Sequence, residues 1–379
     1  MKKLVSAFII AILLLSVPVP GNAQPAPPVI NSHIAVLMDF ASGEVIYAKN
    51  QEQRWDPASL TKIMTMYLVF QGLEAGQLNP SDPVRVSEAA WRTIGSRMFI
   101  EVGKDVPLEE LIKGITIVSG NDASVAVAEH IGGSVQEFAR LMNNTAASLG
   151  LSGTNFVNPH GLADNNQYTT GLDMARLARA YIKRFPQSLE YHSTRSYTYN
   201  KNQAPQQNRN GLLRFPEIDG LKTGRVLETW NLIATGKKDD YRLIAVIMGA
   251  ASEAQREREA MALLNYGFNN FRAYPVGEKG KDFGRVRVYK GKQNWINAVL
   301  PDDLAVTVPK EASVNVKVEL PKYLVAPLAE GAEVGKVIVE AGGQAKTFPL
   351  IIQEAVPKGN FLKVFFNELS LMFRTLLKR

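Results

Sequence analysis

A serine and a lysine three residues apart stand at the start of a helical pattern, in the stretch DPASLTKIMTMYLVFQGLEAGQL that begins at Asp56. Asp56 and Pro57 are typical of a helix N-cap and first turn. The pattern therefore predicts that Ser59 lies in the first turn, where free N–H groups favour developing negative charge. Lys62 is expected on the same helix face. A lysine with a pKa lowered by burial and neighbouring cations could take the serine proton, so the pair predicts a nucleophile and its base.

Two further motifs carry groups that such a pair needs. Ser119 and Asn121 follow the apolar helical run LIKGITIV, at a turn that can bring a hydroxyl and an amide beside the first serine. The segment Lys222-Thr223-Gly224 opens a strand, where a cation and a hydroxyl can bind a carboxylate and glycine allows close approach of a substrate backbone. Each motif alone also fits an ordinary helix end or polar strand entry. The three in this order predict a serine acyl-transfer site.

The elements around these motifs predict an α/β unit. Two β-branched runs flank the turn residues Ala41-Ser42-Gly43 and indicate a hairpin. Apolar residues then recur at helical spacing from Asp56 to about Phe185. DGLKTG and NLIATGKKDDYRLIAVIMGAAS indicate antiparallel strands, followed by a helix from Glu253 to Phe271. This order favours an α+β fold in which one antiparallel sheet combines N-terminal and C-terminal strands around a helical subdomain.

Beyond Ala273 the pattern changes to short alternating segments such as GRVRVYKG, LAVTVPK, VNVKVELP and KVIVEAGG, which predict a small β-sandwich. The tail PKGNFLKVFFNELSLMFRTLLKR is an amphipathic helix. It could pack on the preceding domain, but its aromatic bulk and basic residues favour contact with anionic lipid. Its apolar face combines Phe361, Leu362, Phe365, Leu369, Met372, Phe373, Leu376 and Leu377.

The N-terminal stretch MKKLVSAFIIAILLLSVPVPGNAQ has a basic start, a short apolar run and small residues at a cleavage position, and it predicts a secretory signal. The predicted division of the chain is a signal peptide at 1–23, a linker at 24–32, a catalytic domain at 33–272, a β-sandwich at 273–355 and an amphipathic helix at 356–379.

Composition narrows the function further. The chain has no cysteine, which excludes disulfides, thiol catalysis and thiolate metal sites. The formal net charge of the chain is +7, and two of these charges lie in the predicted signal. The remaining excess favours contact with an anionic membrane surface or wall polymer. Nucleic acid is not an expected partner of an exported protein. No metal-ligand cluster stands out, so we expect no cofactor. The four histidines are scattered and are interpreted as structural, with His160 in its NPHGL turn the least certain.

With its three motifs, the chain resembles the D-alanyl-D-alanine carboxypeptidases, the low-molecular-mass penicillin-binding proteins of the bacterial periplasm. The resemblance extends to DPASLTKIMT, GSRMFIEVG, IVSGNDASVAVAE, FARLMNNTAASLGLSGTNFVNPHGL and TTGLDMARLA, and to the order of signal, catalytic domain, β domain and C-terminal helix. It implies a fold like that of serine β-lactamases and DD-peptidases. It also implies a periplasmic protein held at the inner-membrane surface by its last helix.

The resemblance further implies an activity. Ser59 would attack the last peptide bond of a peptidoglycan stem peptide ending in D-Ala-D-Ala, with Lys62 as base. Ser119 would relay a proton to the leaving amine, and Asn121 would hold Lys62 and the substrate amide. Lys222 and Thr223 would bind the terminal carboxylate beside Gly224. The N–H groups of Ser59 and Arg225 would form an oxyanion hole. β-Lactam antibiotics would acylate Ser59.

Where the family pattern has an aromatic residue or His and later a small-residue pair with Gly, this chain reads KTGRVLETWNLIATG. The hairpin is one residue shorter, and Arg225 and Trp230 replace small or neutral groups, which predicts an altered rim of the cleft and a disturbed register of the oxyanion strand. Three alternatives follow. A DD-endopeptidase would use the same chemistry, and a membrane-tethered wall-binding protein would have lost useful catalysis. A class A β-lactamase would need a Glu-x-x-Leu-Asn element, which is missing between Asn155 and Arg184.

Overall fold

The structure, a computed structural model, describes residues 26–199 and 204–376 of the chain. Within these ranges a sheet covered by helices is followed by a β domain and then by one helix. This is the order of folded units that the sequence predicts. The predicted signal peptide at 1–23 lies outside the described residues, as do residues 377–379 of the predicted C-terminal helix.

The α/β unit begins with a strand and ends with a long helix. Its elements in chain order are β1 (Ile34–Asp39), β2 (Val45–Lys49), α1 (Lys62–Glu74), β3 (Pro83–Arg85), α2 (Glu88–Arg92), β4 (Asp105–Pro107), α3 (Leu108–Thr116), α4 (Asn121–Gly132), α5 (Val135–Ser148), α6 (Gly171–Arg184), α7 (Ser188–His192), β5 (Ser196–Tyr197), β6 (Gln206–Gln207), β7 (Ile218–Val226), β8 (Thr229–Lys238), β9 (Tyr241–Ala250) and α8 (Glu253–Asn270). Short 3-10 turns cover Ala58–Thr61 and Gly211–Arg214.

The central sheet has five antiparallel strands in the order β2-β1-β9-β8-β7. The predicted hairpin between β1 and β2 is confirmed, with Gly43 at a φ of +78° in its turn. Strands from both ends of the α/β sequence therefore join in one sheet. This arrangement places β7, which carries the Lys222-Thr223-Gly224 segment, at the edge facing the helical subdomain.

Alternation along the strands separates two hydrophobic cores. In β1, Ile34 and Val36 face the core of the helical subdomain, whereas Ala35 and Leu37 face the core beneath α8. Helix α1 lies inside the first core and is buried on nearly every side. Lys62, the first residue of this helix, is therefore fully buried. Its burial affects the pKa of its amine, as described below for the site.

The β domain contains the remaining strands. They are β10 (Phe271–Gly277), β11 (Asp282–Tyr289), β12 (Trp295–Val299), β13 (Leu304–Pro309), β14 (Val314–Glu319), β15 (Leu324–Val325), β16 (Glu333–Ala341) and β17 (Gln344–Ile351). Strands β10 and β13 pair with each other, and the other six form a sheet in the order β14-β16-β17-β12-β11-β15. A valine-rich core lies between them, as the alternating sequence pattern predicts.

Polar contacts attach the β domain to the β1–β2 hairpin. The Thr307 hydroxyl donates to Asp39 Oδ2 at 2.8 Å and lies 2.7 Å from Ser42 Oγ. Lys346 forms an ion pair with Glu44. These contacts hold the far side of the sheet, away from the edge strand β7.

The segment before β1, which the sequence suggests is a linker, is packed at its end. Ile30 is buried, and the Ser32 hydroxyl donates to Glu259 Oε2 on α8 at 2.5 Å. The Pro-rich composition of this segment is typical of a linker. Composition alone does not reveal the contact with Glu259, because that residue lies more than 200 positions away in the sequence.

The last helix, α9 (Phe361–Leu376), presents its polar side to the β domain. Asn367 Oδ1 accepts the N–H of Lys290 at 2.8 Å, and the Lys363 amine donates to the carbonyl of Lys292 at 2.9 Å. The opposite side is exposed, with fractional exposures of 80% at Phe361 and 62% at Phe373. Among the described residues no helix combines the length and apolar character needed to cross a membrane.

Candidate active site

Ser59 lies in a 3-10 turn rather than in the α-helix that the sequence predicts. Asp56 Oδ1 accepts the N–H of Ala58 at 2.7 Å, but the N-cap position of this turn is Pro57, and α1 has no side-chain cap at Thr61, so the prediction of Asp56 as a helix N-cap is wrong. Ala58 has a φ of +47°, which interrupts helical geometry, and the regular helix α1 begins at Lys62. A positive φ is uncommon for alanine, and such backbone strain concentrates at functional sites.

Two glycines allow neighbouring backbone to approach the Ser59 turn. A Cβ on Gly161 would lie only 1.8 Å from the carbonyl oxygen of Ala58. On the other side, a Cβ on Gly224 would lie 3.1 Å from Ala58 Cβ and 3.3 Å from the Ser59 nitrogen. The nucleophile is thus held between the NPHGL turn and the edge strand β7. No side chain larger than hydrogen fits at Gly161 without displacing the turn.

This contact makes Gly161→Ala a sensitive test of the turn's position. We expect kcat/KM for the D-alanine release that the sequence predicts to fall about 100-fold, because displacements near 1 Å at a reacting group cost about that much. Gly150→Ala is the matched control, since Gly150 also has a positive φ of +70° but nothing within 4 Å of its Cβ position. Steady-state kinetics on both folded variants separates contact from backbone strain. Equal losses in the two would show that the contact with Ala58 is unimportant.

Lys62 is buried and makes three short contacts. Its Nζ donates to Asn121 Oδ1 at 2.7 Å and to the carbonyl of His160 at 2.6 Å, and it lies 3.1 Å from Ser59 Oγ. Burial lowers the pKa of Lys62 well below its usual value, and the positive charge of Lys222 lowers it further. A neutral amine has two N–H groups and one lone pair. The two carbonyl acceptors take the N–H groups, so the lone pair is left to face the Ser59 hydroxyl.

Ser119 lies in the turn before α4, and Asn121, the first residue of α4, contacts Lys62 of the first motif. As the sequence predicts, a turn follows this helical run: it separates α3 from α4, with Ser119 at a φ of +62° between them. Asn121 bridges the site: its Oδ1 accepts from Lys62, and its Nδ2 donates to the carbonyl of Ile94 at 2.7 Å. The interruption of the helix is what turns these polar groups towards Lys62.

Lys222 joins the third motif to the second. Its Nζ donates to Ser119 Oγ at 2.9 Å and to the carbonyl of Thr223 at 3.0 Å. Burial, together with the nearby cations Arg209 and Arg256, lowers the pKa of Lys222 to about 7. An arriving carboxylate would favour the charged form of this amine and restore its pKa.

The pKa of Lys222 predicts a pH effect. The pH profile of kcat/KM reports ionisations of the free enzyme. We expect an acid limb from protonation of Lys62 and an alkaline limb near pH 7 as Lys222 loses its charge. In Lys222→Arg the residual activity should lose the alkaline limb, because guanidinium stays protonated. Lys237→Arg, at an exposed surface lysine, should leave the profile unchanged. An unmoved alkaline limb in Lys222→Arg would assign that limb to another group.

The shortened hairpin preserves strand register. Gly224 pairs with Asn231 and Arg225 with Trp230, and the two-residue connection Leu227-Glu228 closes the hairpin. The Arg225 guanidinium lies over the Trp230 ring at 5.1 Å, and its Nε donates to the carbonyl of Leu227 at 3.2 Å. The altered rim therefore exists, but it does not change the register of β7 beside Ser59.

Sequence reasoning missed two residues that support the site. Both oxygens of buried Asp122 accept backbone N–H groups, those of Met98 and Phe99 at 3.0 and 2.9 Å among them. Asn231 donates from Nδ2 to the carbonyl of Asp56 at 3.0 Å and accepts the N–H of Gly249 at 3.0 Å. Asp122 fixes the loop that Asn121 contacts, and Asn231 ties β8 to the nucleophile's turn. An acid directly after the second motif is the only sequence signal for either.

Arg256 was also missed, because nothing in the helical pattern of α8 marks it. Its side chain is buried, its Nη2 donates to the carbonyl of Arg209 at 3.3 Å, and its Nε has no partner within the described residues. Together with Arg209 it makes the surroundings of Lys222 positive. A substrate carboxylate is the chemical group that this charge favours.

Two of the histidines that the sequence suggests are structural, His192 and His160, make hydrogen bonds to the backbone. His192 is buried, with Nδ1 2.9 Å from the carbonyl of Leu221. His160 contributes its backbone carbonyl to Lys62, while its ring Nδ1 accepts the N–H of Leu162 at 3.1 Å. Burial lowers the pKa of His160 to about 3, so its ring is neutral at physiological pH. In the described ranges, no three His, Asp or Glu side chains are grouped as metal ligands would be.

The site contains the parts of a serine acyl-transfer centre: a hydroxyl in the turn that precedes α1, a buried amine beside it, and a second serine and lysine pair. The D-alanyl-D-alanine carboxypeptidase family model matches residues 21–252, and the model of the penicillin-binding protein 5 C-terminal domain matches residues 271–358.

Individual relatives agree with these matches. The chain is 40% identical over 328 residues to D-alanyl-D-alanine carboxypeptidase DacA of Haemophilus influenzae, covering 84% of this chain and 83% of that one. It is 34% identical to DacF of Bacillus subtilis, covering 96% of each. A crystal structure of penicillin binding protein 5 from Haemophilus influenzae has a TM-score of 0.83 and 38% identity, covering 88% of this chain and all of that one. The chain therefore belongs to the D-alanyl-D-alanine carboxypeptidase family, a family of serine-type hydrolases.

Proposed function

We propose that the chain removes the terminal D-alanine from peptidoglycan stem peptides through an acyl-enzyme on Ser59. The observation that carries this proposal is the contact between Ser59 Oγ and the buried, pKa-lowered Lys62 amine. Lys62 takes the hydroxyl proton as Oγ bonds to the carbonyl carbon of the penultimate D-alanine. The C–N bond then breaks, and the departing D-alanine amine receives a proton through Ser119. Water then attacks the ester carbon and loses a proton to Lys62, which passes it to Ser59 Oγ as the bond between Oγ and the acyl carbon breaks and the shortened peptide leaves.

Charge development in these steps needs stabilisation on two sides of the substrate. The N–H groups of Ser59 and Arg225 are proposed to donate to the oxyanion, a contribution of about 3 to 4 kcal/mol per donor in comparable acyl transfer. The close approach of Gly224 to the Ser59 nitrogen supports this assignment. Lys222 and Thr223 are proposed to hold the terminal carboxylate. Asn121 orients Lys62 and binds the substrate amide.

The same groups fit a β-lactam antibiotic. Its strained amide and carboxylate correspond to the scissile bond and terminal carboxylate of D-Ala-D-Ala. We therefore expect penicillins to acylate Ser59, in agreement with the name of the similar Haemophilus protein. Among the residues that the structure describes, Lys62 is the one side chain with a hydrogen bond to Ser59 Oγ, so slow release of the penicilloyl group is expected.

A direct assay distinguishes carboxypeptidase from endopeptidase action. The mature protein is incubated with a diacylated Lys-D-Ala-D-Ala peptide and, separately, with purified cross-linked muropeptide dimers. We expect free D-alanine from the first substrate at a kcat/KM at least tenfold above that for dimer cleavage, because Lys222 and its cations favour a free terminal carboxylate. Faster dimer cleavage would favour the endopeptidase. Activity on neither substrate by folded protein would favour the wall-binding alternative.

We further propose that the chain is exported by the segment 1–23, continues through the segment 24–32, and folds as a catalytic unit at 33–272 and a β domain at 273–355. The helix at 356–379 then attaches it to the periplasmic side of the inner membrane. The exposed aromatic side of α9 and the basic residues near it support this attachment.

The anchor makes a measurable prediction for vesicle binding. Phe366→Ser combined with Phe373→Ser should weaken binding to phosphatidylglycerol vesicles about 100-fold, because each phenylalanine contributes at least about 1.4 kcal/mol when buried in lipid. Trp91→Ser is the control, because Trp91 is 43% exposed but lies in α2, far from α9 in the chain. Co-sedimentation with the vesicles measures the binding of the wild type, the double variant and the Trp91→Ser control. Unchanged binding in the double variant would contradict attachment through α9.

A further inference from the structure

An aromatic and basic patch lies on the β domain beside α9. It consists of Trp295, Tyr323 and Arg287, whose guanidinium lies 5.6 Å from the centre of the Trp295 ring. Trp295 is 49% exposed and Tyr323 39% exposed, the latter in edge-on contact with the Tyr289 ring at 5.3 Å. Arg287 and Trp295 are cross-strand neighbours in the hairpin of β11 and β12. A half-exposed tryptophan and tyrosine with a cation among them is not needed for the core of this domain.

The patch is continuous with the contact surface of α9. The turn of the same hairpin binds the helix through Lys290, which pairs with Glu368 at 2.6 Å, and through the carbonyl of Lys292. Trp295 is three residues beyond Lys292. The helix and the patch therefore occupy the same end of the β domain. The other end, at Lys346, contacts Glu44 of the catalytic unit.

The chemistry of the patch fits one kind of partner. Tryptophan and tyrosine concentrate at membrane interfaces, where their rings lie among the headgroups. Arginine and lysine side chains extend from such a surface to anionic phosphates. The exposed faces here offer both: Arg285 and Arg287 alternate along β11, Lys292 lies in the turn, and Lys322 precedes Tyr323. A purely protein-binding surface would not require this excess of positive charge.

We propose that the Trp295–Tyr323–Arg287 patch is a second contact with the anionic bilayer surface, which fixes the β domain upright on the membrane. This proposal rests on attachment through α9. With two contacts instead of one, the β domain cannot turn freely about its helix. The catalytic unit is then held at the far end of the β domain, at a set distance from the lipid.

The absence of cysteine allows a direct test by site-specific labelling. Trp295→Cys, Tyr323→Cys and Ala345→Cys each receive an environment-sensitive fluorophore, and the proteins are bound to phosphatidylglycerol vesicles that contain nitroxide-labelled lipid. Ala345 is exposed beside the contact with the catalytic unit and serves as the control. We expect quenching at positions 295 and 323 at least threefold greater than at 345. Trp295→Ala combined with Tyr323→Ala should also weaken vesicle binding about tenfold.

The outcomes separate the two membrane proposals. If the labelled proteins bind vesicles but positions 295 and 323 are no more quenched than 345, the second contact is wrong and the α9 anchor stands. If α9 variants and wild type alike fail to bind vesicles, the anchor fails and the second contact fails with it. Circular dichroism of the double alanine variant checks that weaker binding does not reflect unfolding.

Discussion

Ser59→Ala is expected to lower kcat/KM for D-alanine release by about 10⁴-fold or more. Removal of a serine nucleophile from a comparable acyl-transfer enzyme costs up to about 10⁶-fold in kcat, because the remaining groups cannot supply the covalent route. The turn around Ser59 is held by Asp56, Gly161 and Gly224 rather than by the hydroxyl itself, so the variant should fold and still bind peptide.

The assay for this variant is D-alanine release from the diacylated tripeptide at saturating and limiting concentrations. Ser148→Ala removes a hydroxyl at the end of α5, whose hydrogen bond within the described residues goes to the carbonyl of Thr145 in the same helix, and the variant should stay within about twofold of wild type. Substantial residual release by Ser59→Ala would mean that the nucleophile lies elsewhere.

Lys62→Met should cause the next largest loss, about 10⁴-fold in kcat/KM, with penicillin acylation slowed in parallel. Methionine has a similar length but no amine, so Ser59 loses its proton acceptor, and Asn121 Oδ1 and the carbonyl of His160 lose their donor. Because Lys62 is entirely buried, its charged form is disfavoured, and a role as a neutral base is the one that burial supports.

Lys62→Arg distinguishes a base from a source of positive charge. Guanidinium keeps the charge and the donors but does not deprotonate near neutral pH. If Lys62 acts as the base, the arginine variant should be nearly as inactive as the methionine variant. If the arginine variant retains most of the acylation rate measured by stopped-flow with a chromogenic β-lactam, the role of Lys62 is electrostatic.

The predictable parts of the site are those that local sequence determines. The three motifs, the strand pattern around them and the hairpin at Ala41-Ser42-Gly43 depend on residue type and spacing over short stretches, and all were identified. The structure brings Ser59, Lys62, Ser119 and Asn121 together with the Lys222 strand, and it places Gly224 against the Ser59 turn.

The parts that could not be predicted depend on contacts between distant segments. Ala58 takes a positive φ because Asp56, Asn231 and the NPHGL turn hold it, which no helical pattern reveals. Arg256 lowers the pKa of Lys222 from 34 positions away in the chain. Two apolar residues of α9, Val364 and Leu371, lie off the apolar face that the helical pattern predicts. The structure half-buries both, and the sequence pattern of the helix alone does not show this.

The shortened hairpin illustrates a third reason. Its missing residue suggested a disturbed register at Arg225, because counting along one strand cannot show how its partner responds. In the structure an irregularity between β8 and β9, at Trp230 to Leu232, accompanies a regular pairing of β7 with β8 from Gly220 to Val226. Asn231 lies at this irregularity and binds both the nucleophile's turn and β9.

The most direct test of the account is to identify the residue that forms the acyl-enzyme. The mature protein is treated with benzylpenicillin, quenched in acid, digested and analysed by mass spectrometry beside Ser59→Ala. We expect one penicilloyl group per chain, on Ser59, and none in the variant. An adduct on another residue, or an adduct that persists in Ser59→Ala, would contradict the assignment of Ser59 as the nucleophile.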